Sequence, residues 1–350
     1  MSHFHQAVKA LIERVKQAED GVTRIEEVLD LSPEFSAIDW LDAQPIYPKF
    51  YWQSRDTREE VVALGQLFTF SDPAPAYTVL NEGQRVWGGK AFDGESDKSR
   101  RCMPSFFFLP QIELIRSERQ WSLAVNLNTD ISRTLSNLRK LSLDVRPLAP
   151  ISTHITAMTH TPALPQWEKK VEQALCGIDQ NQFKKVVLAR KTELDLSSEV
   201  KPTQLLKASY QQNHHSFHFM LALDSKHGFI GSTPERLYYR HERELHTEAL
   251  AGTIGRGNNA THDMELANWL SRDSKNLNEN QYVVDDIIER LEPHSQSIEV
   301  EDEARLVRLR KVQHLKRTIQ VKLNEGINGI QLLGALQPTA AVAGLPRKEA

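Results

Sequence analysis

Between residues 47 and 125 the chain is written in short aromatic and β-branched runs separated by turn residues: Phe50-Tyr51-Trp52, Val61 to Phe70, Val86-Trp87-Gly88-Gly89, Phe106 to Pro110 and Trp121 to Val125. Such runs predict strands. Around them lie helical patterns. Residues 3 to 18 form an amphipathic run that Gly21 ends, and 129 to 142 look helical. Residues 146 to 165 are rich in Pro and Thr and predict a connector, which places a soft boundary between an N-terminal region, 1–160, and a C-terminal region, 161–350. The second region begins with a helix from about Gln166 to Cys176 and a turn at Gly177, followed by a strand from Lys185 to Leu196. Further strands are expected at Phe217 to Leu223, Gly228 to Ser232 and Arg236 to Arg240, with a spacing that favours antiparallel pairing over βαβ units. One long helix is expected from about His262 to Leu291, on an apolar stripe that includes Leu270, Leu277, Val283, Ile287 and Leu291.

The 350 residues can bury a large core, and apolar and charged fractions of 40% and 25% are those of an ordinary folded protein. A net charge of −3, from 43 basic and 46 acidic residues, gives no global pull toward nucleic acid or a membrane surface. No stretch is apolar enough for a transmembrane helix, and the N-terminus lacks the apolar centre of a signal peptide. Two cysteines, Cys102 and Cys176, build no disulfide framework and fit a reducing compartment, so a cytoplasmic location is expected.

Three separated residues suggest polar, water-using chemistry. Lys185 opens Lys185-Val186-Val187-Leu188-Ala189-Arg190, where strand alternation puts it on one face with Val187 and Ala189. If that face is inward, desolvation lowers the lysine's pKa and makes it a usable general base; if not, it is a strand-end lysine reaching water. Glu235 follows Pro234 on a constrained bend, where poor solvation would suit a general acid and good solvation a surface ion pair with Arg236 or Arg240. Glu279 lies near the apolar stripe of the long helix, either inward, where Mg²⁺ would be a fitting partner, or at the edge of the stripe, reaching solvent. The glycine-rich stretch Ala251 to Gly257 is a loop that could cradle an anion or simply turn; it matches neither the P-loop nor the dinucleotide fingerprint. The basic run Arg305, Arg308, Arg310, Lys311, Lys316 and Arg317 reads as a solvated face or as partners for acidic helices rather than a nucleic-acid patch. His214, His215 and His218 lack zinc spacing and read as structural.

Taken jointly, Lys185 to Arg190, Ser232-Thr233-Pro234-Glu235-Arg236, Glu248 to Thr253, the Glu279 helix, Val312-Gln313-His314-Leu315 and Gln337 to Val342 resemble, in order and spacing, the chorismate-utilising enzyme family. Tyr47 to Trp52 also resembles the isochorismate synthases of the menaquinone-pathway type. The resemblance implies an α+β fold of antiparallel β-sheets flanked by helices, with the active site in the C-terminal part. It implies conversion of chorismate to isochorismate, with Lys185 as the base that activates water, Glu235 as the acid that protonates the departing hydroxyl, Glu279 as a Mg²⁺ ligand, and Gly252 and Thr253 as contacts to a substrate carboxylate. Ala251, which cannot be a nucleophile, argues against the aminodeoxychorismate type, and Lys185 against anthranilate synthase. Gln337 favours the menaquinone type over salicylate synthases, which share base and acid and then release pyruvate. The family pattern continues past Val342 for roughly a quarter of its catalytic domain. A second metal-binding glutamate and basic substrate contacts are therefore expected to be missing, leaving an incomplete site with absent or greatly reduced activity.

Overall fold

The computed structural model describes residues 3–92 and 105–350, so Cys102 lies outside the described residues. The fold is α+β with antiparallel sheets, as expected. The chain divides into two units, Met1–Ser152 with Glu199–Pro234, and Thr153–Ser198 with Glu235–Ala350. This division runs differently from one cut near 160. The strand Phe217–Ala222 pairs antiparallel with Lys49–Gln53, His218 opposite Gln53 and Ala222 opposite Lys49, and that ladder ties 199–234 to the first unit.

The first unit is built on an eight-stranded sheet among the described residues. Its order is Arg24–Leu29, Gln120–Asn126, Ser105–Ser117, Glu59–Phe70, Lys49–Gln53, Phe217–Ala222 and Gly228–Thr233, with Trp87–Lys90 on the side of Ser105–Ser117. Alternation sorts the strands: Tyr51, Val62, Leu64, Ile112, Leu114, Leu123 and Val125 share one core, while Phe50, Ala63 and Phe108 belong to another cluster. The helix His3–Lys16 covers the first core with Phe4, Ala7, Val8, Leu11 and Val15, a spacing of three and four that gathers them on one side. Glu113, fully buried in the sheet, is neutralised by Arg24 at 2.6 Å and accepts from Trp87 Nε1 at 3.0 Å and Asn126 Nδ2 at 3.2 Å.

The second unit has a five-stranded antiparallel sheet among the described residues. Its order is Tyr239–His241, Glu244–Gly255, Val312–Leu323 and Ser295–Val300, with Arg305–Arg308 also paired to Val312–Leu323. The helix Ser274–Leu291 packs on it, Val283, Val284, Ile287 and Leu291 meeting Leu245, Ala249, Ala251, Ile319, Val321 and Leu323. Four expectations change here. The long helix is two, Ala260–Leu270 and Ser274–Leu291, because Asp273 caps the second by accepting from the Asn276 N–H at 3.0 Å. The strand from Lys185 to Leu196 is two pieces, Lys185–Val186 and Lys191–Leu196, paired with different partners. The connector at 146 to 165 contains the strand Ile155–Thr161. The glycine-rich loop is largely strand, since Glu244–Gly255 runs through it with a register shift between Leu250 and Thr253. The basic run lies on Arg305–Arg308, Val312–Leu323 and the turn between them, and several of its members find acids: Arg305 on Glu301, Arg308 on Asp263 at 3.8 Å and Lys316 on Glu248 at 3.8 Å. Among the described residues no helix is long and apolar enough to cross a membrane.

Candidate active site

Lys185 sits in a strand of two residues, yet it is firmly placed. Gly344 and Leu345 pair with Val186 and Lys185, and the Lys184 N–H donates to the Leu345 carbonyl at 2.7 Å. Gly344 has φ +113, and a side chain there would sit 2.7 Å from the Lys185 carbonyl oxygen, so the close approach needs glycine. The Lys185 side chain turns inward and is 7% exposed. Its Nζ donates to the carbonyls of Ala340 at 2.6 Å and Ala341 at 3.3 Å, and stands 4.0 Å from Glu279 Oε1. Burial pulls its pKa below the usual lysine value, against the opposing pull of the Glu279 and Glu235 carboxylates. The lysine is buried as one reading had it, but not by way of a strand face, since Val187 and Ala189, expected to share that face, are exposed.

Glu279 is partly buried, with its Oε2 accepting from Lys275 Nζ, one helical turn back, at 2.9 Å. Glu235 is half-buried and close enough to favour the charged form of Lys185.

Gly252 and Thr253 lie at the register shift of the Glu244–Gly255 strand. Buried Asn280 lies beside the shift, its Nδ2 3.1 Å from the Ala249 and Ala251 oxygens and 3.2 Å from that of Leu315. Gly252 has φ +84, where a Cβ would come within 3.0 Å of the Asn276 carbonyl. The Thr253 N–H donates to Asn276 Oδ1 at 3.2 Å, and its hydroxyl lies 2.8 Å from His314 Nδ1. Burial lowers the pKa of His314, favouring a neutral ring that can either accept from or donate to that hydroxyl. Asn276 and Asn280 flank Glu279 on the same helix, so one element links Gly252 and Thr253 to the Lys185–Glu279 pair.

Sequence reasoning gave no role to Asn276, Asn280, Asp286 or His314. The signal for the asparagines was present: with 283, 284, 287 and 291, positions 276 and 280 complete the buried side of the helix, and a polar residue there has to meet a buried polar partner.

Whether Mg²⁺ fits is a question of donors. Among the described residues no three His, Cys, Asp or Glu side chains gather as a metal site. Glu279 is a single hard carboxylate with one ammonium at 2.9 Å and another at 4.0 Å. It fits Mg²⁺ only as a one-carboxylate site in which substrate oxygens and water complete the shell.

A family of chorismate binding enzymes matches residues 73–350. The isochorismate synthase MenF of Escherichia coli K12 is 34% identical over 360 residues, covering 99% of this chain and 81% of the relative. That of Pasteurella multocida is 37% identical over 323 residues, covering 90% and 72%. The solved structure of the menaquinone-specific isochorismate synthase MenF from E. coli superposes with a TM-score of 0.90 over 99% of this chain and 82% of that one, at 34% identity. Anthranilate synthase component I from Streptococcus pneumoniae, at 16% identity over 95% of this chain and 76% of that one and with a TM-score of 0.56, shares the fold. With most of its length matched by the family and a fold in common with its solved relatives, the chain belongs to the chorismate binding enzymes.

Proposed function

We propose that this protein is an isochorismate synthase of the menaquinone-pathway type, an isomerase acting on chorismate. The observation that carries the reading is the buried Lys185 amine, held by two backbone carbonyls beside Glu279 and within electrostatic reach of Glu235. The MenF relatives support the same activity. Water is a poor nucleophile and hydroxide a poor leaving group, so exchange of a ring hydroxyl needs proton transfer at both ends. Lys185, whose ammonium form burial disfavours, is the base that takes a proton from the water whose oxygen bonds to ring C2. As the ring's two conjugated double bonds shift together, the C4–O bond breaks and Glu235 gives its proton to the departing hydroxyl. One water enters and one leaves, so the net change is isomerisation.

Gly252 and Thr253 are assigned to a substrate carboxylate, which the Gly252 backbone and the Thr253 hydroxyl can meet. Glu279 would hold Mg²⁺, which when bound supplies positive charge to the substrate's ring carboxylate. The exposed free thiol of Cys176 suits a reducing compartment, which agrees with a cytoplasmic enzyme.

The test is chorismate conversion followed by chromatography, with and without Mg²⁺. Lys185→Ala and Glu235→Gln are each expected to lower kcat by about 10²- to 10⁴-fold, and Glu279→Gln to weaken the Mg²⁺ dependence. Wild-type kcat in Lys185→Ala would overturn the base assignment. Release of pyruvate with salicylate would reassign the reaction. Turnover by the 350-residue chain, set against the E. coli relative, measures whether these residues suffice.

A further inference from the structure

The helix Ser274–Leu291 carries a second acidic residue on nearly the same side as Glu279. Asp286 is seven positions further on, two turns along. Unlike Glu279 it is buried, and a buried carboxylate needs specific partners. Asp286 has two. Its Oδ1 accepts from Arg290 Nε at 2.6 Å, and its Oδ2 accepts from the Ala340 amide N–H at 2.8 Å. Arg290 in turn donates to the Ala335 carbonyl at 3.1 Å, near the end of the helix Gly329–Leu336. Ala340 is itself fully buried, and it is the residue whose carbonyl accepts from Lys185 at 2.6 Å. The same residue is thus gripped through its N–H by Asp286 and grips Lys185 through its oxygen.

We infer that Asp286 is a positioning residue for the reaction: by fixing Ala340 it aims the Ala340 and Ala341 carbonyls at Lys185 Nζ and so fixes the direction in which the amine faces. The inference rests on the reading of Lys185 as base. Two carbonyls on one side hold two of the amine's positions, which turns the remaining position toward the other side. A lysine stem has many rotamers, and with those acceptors displaced the amine is free to swing toward Glu279, 4.0 Å away. Helix stabilisation by an i,i+4 ion pair accounts for Arg290 but not for the second oxygen on Ala340.

The experiment compares Asp286→Asn and Asp286→Ala with wild type in the full chain. Asparagine keeps an oxygen for the Ala340 amide, so kcat is expected to fall in the order wild type, Asn, Ala. The alanine loss is expected at about 10- to 100-fold, with KM changed by less than about threefold, because binding groups remain. A structural role alone would lower the melting temperature and the fraction of active protein while leaving kcat per active site unchanged, and that result overturns the inference. If the Asp286 variants fail to fold, Ala340→Gly decides: it keeps the hydrogen-bonding groups but frees the backbone. A kcat reduced several-fold at constant KM supports the inference, and an unchanged kcat overturns it.

A readout independent of turnover separates this inference from the functional reading. Acetylation of Lys185 by acetic anhydride, followed by mass spectrometry against the other lysines, is expected to speed up about tenfold in Asp286→Ala as the carbonyl cradle loosens, and an unchanged rate overturns the inference. Full activity in Lys185→Met would instead sink the base assignment, whatever the acetylation rates.

Discussion

At the scale of single residues, the site depends on backbone conformations that few side chains tolerate. Gly252, at φ +84, is the sharper case, because its Cα also faces the Asn276 carbonyl and Leu315 Cδ1. An alanine there carries two penalties, the left-handed backbone and a Cβ contact at 3.0 Å that backbone atoms cannot easily relieve. Gly252→Ala is therefore expected to destabilise the second unit by about 1–3 kcal/mol. It should also displace Thr253, whose N–H and hydroxyl are both committed to Asn276 and His314. Urea unfolding gives the first effect and chorismate KM the second. A variant with wild-type midpoint and wild-type KM would show that the bend absorbs a side chain freely. Lys49 presents a residue-scale effect in the first unit. It is buried, donates to the Asp42 carbonyl at 3.2 Å and sits over the Tyr47 ring, and burial lowers its pKa to about 8. In the unfolded chain a lysine keeps its proton to about 10.5. Between these values the unfolded state binds more protons, so stability rises with pH through that window, and below it the charge-burial penalty is present in full. Lys49→Met is expected to be more stable than wild type at pH 7 by about 1–2 kcal/mol after screening, with the advantage gone by pH 10.5. Parallel urea melts at both pH values check this, and a constant difference would argue against it.

At the scale of elements, the helix Ser274–Leu291 organises the second unit through its polar positions as much as its apolar ones. Asn280 has a side-chain nitrogen with two hydrogens facing three carbonyls from two strands. Asn280→Leu leaves buried acceptors unpaired, at about 1–3 kcal/mol each. A total loss of about 2–4 kcal/mol is expected by denaturant unfolding, against less than about 0.5 kcal/mol for a change at the exposed Glu289 on the same helix. Equal effects would mean that the register shift does not need the asparagine. The same helix shows what the sequence made legible. Its apolar spacing placed it near the core, and in the fold Lys185 stands 4.0 Å from Glu279 on that helix. The break at Ser271 to Asp273 was not read, because apolar periodicity continued across it while a local cap, Asp273 on Asn276, decided the boundary. The run of valines after Lys185 predicts a long strand, whereas pairing with Gly344 and Leu345 limits it to two residues. That partner lies more than 150 positions away, which no local pattern reports. Asp286 was missed for the same reason, since its partner is a backbone N–H at Ala340.

At the scale of the whole molecule, stability is distributed unevenly along the chain, and the second unit shows it. Its centre is closed: Leu245, Val283, Ile287, Ile319 and Leu323 are buried together between sheet and helix. Its ribbon of Ile155–Thr161 and Lys191–Leu196 is open. These two strands pair only with each other among the described residues, every position but one is exposed, and Ile155 and Met158 are 51% and 52% accessible. A two-stranded ribbon with little apolar burial has few contacts to lose on opening, so it should open locally without the rest of the unit. The Lys185–Val186 pairing belongs to the other class, because it is tied to the buried Ala340 turn through the lysine itself. Native-state hydrogen exchange is therefore expected to rank the amides. Ladder amides of the Ile155–Thr161 ribbon should exchange at least about 100-fold faster than those of Leu245 to Ala251 and Ile319 to Leu323. Lys184, whose N–H meets Leu345, should follow the slower group. Slow exchange in the ribbon, matching that of the buried strands, would show that its exposed face is covered in solution. Fast exchange at Lys184 would show that the proposed base is carried on a segment that opens on its own, and the mechanism proposed for its fixed amine would lose its footing.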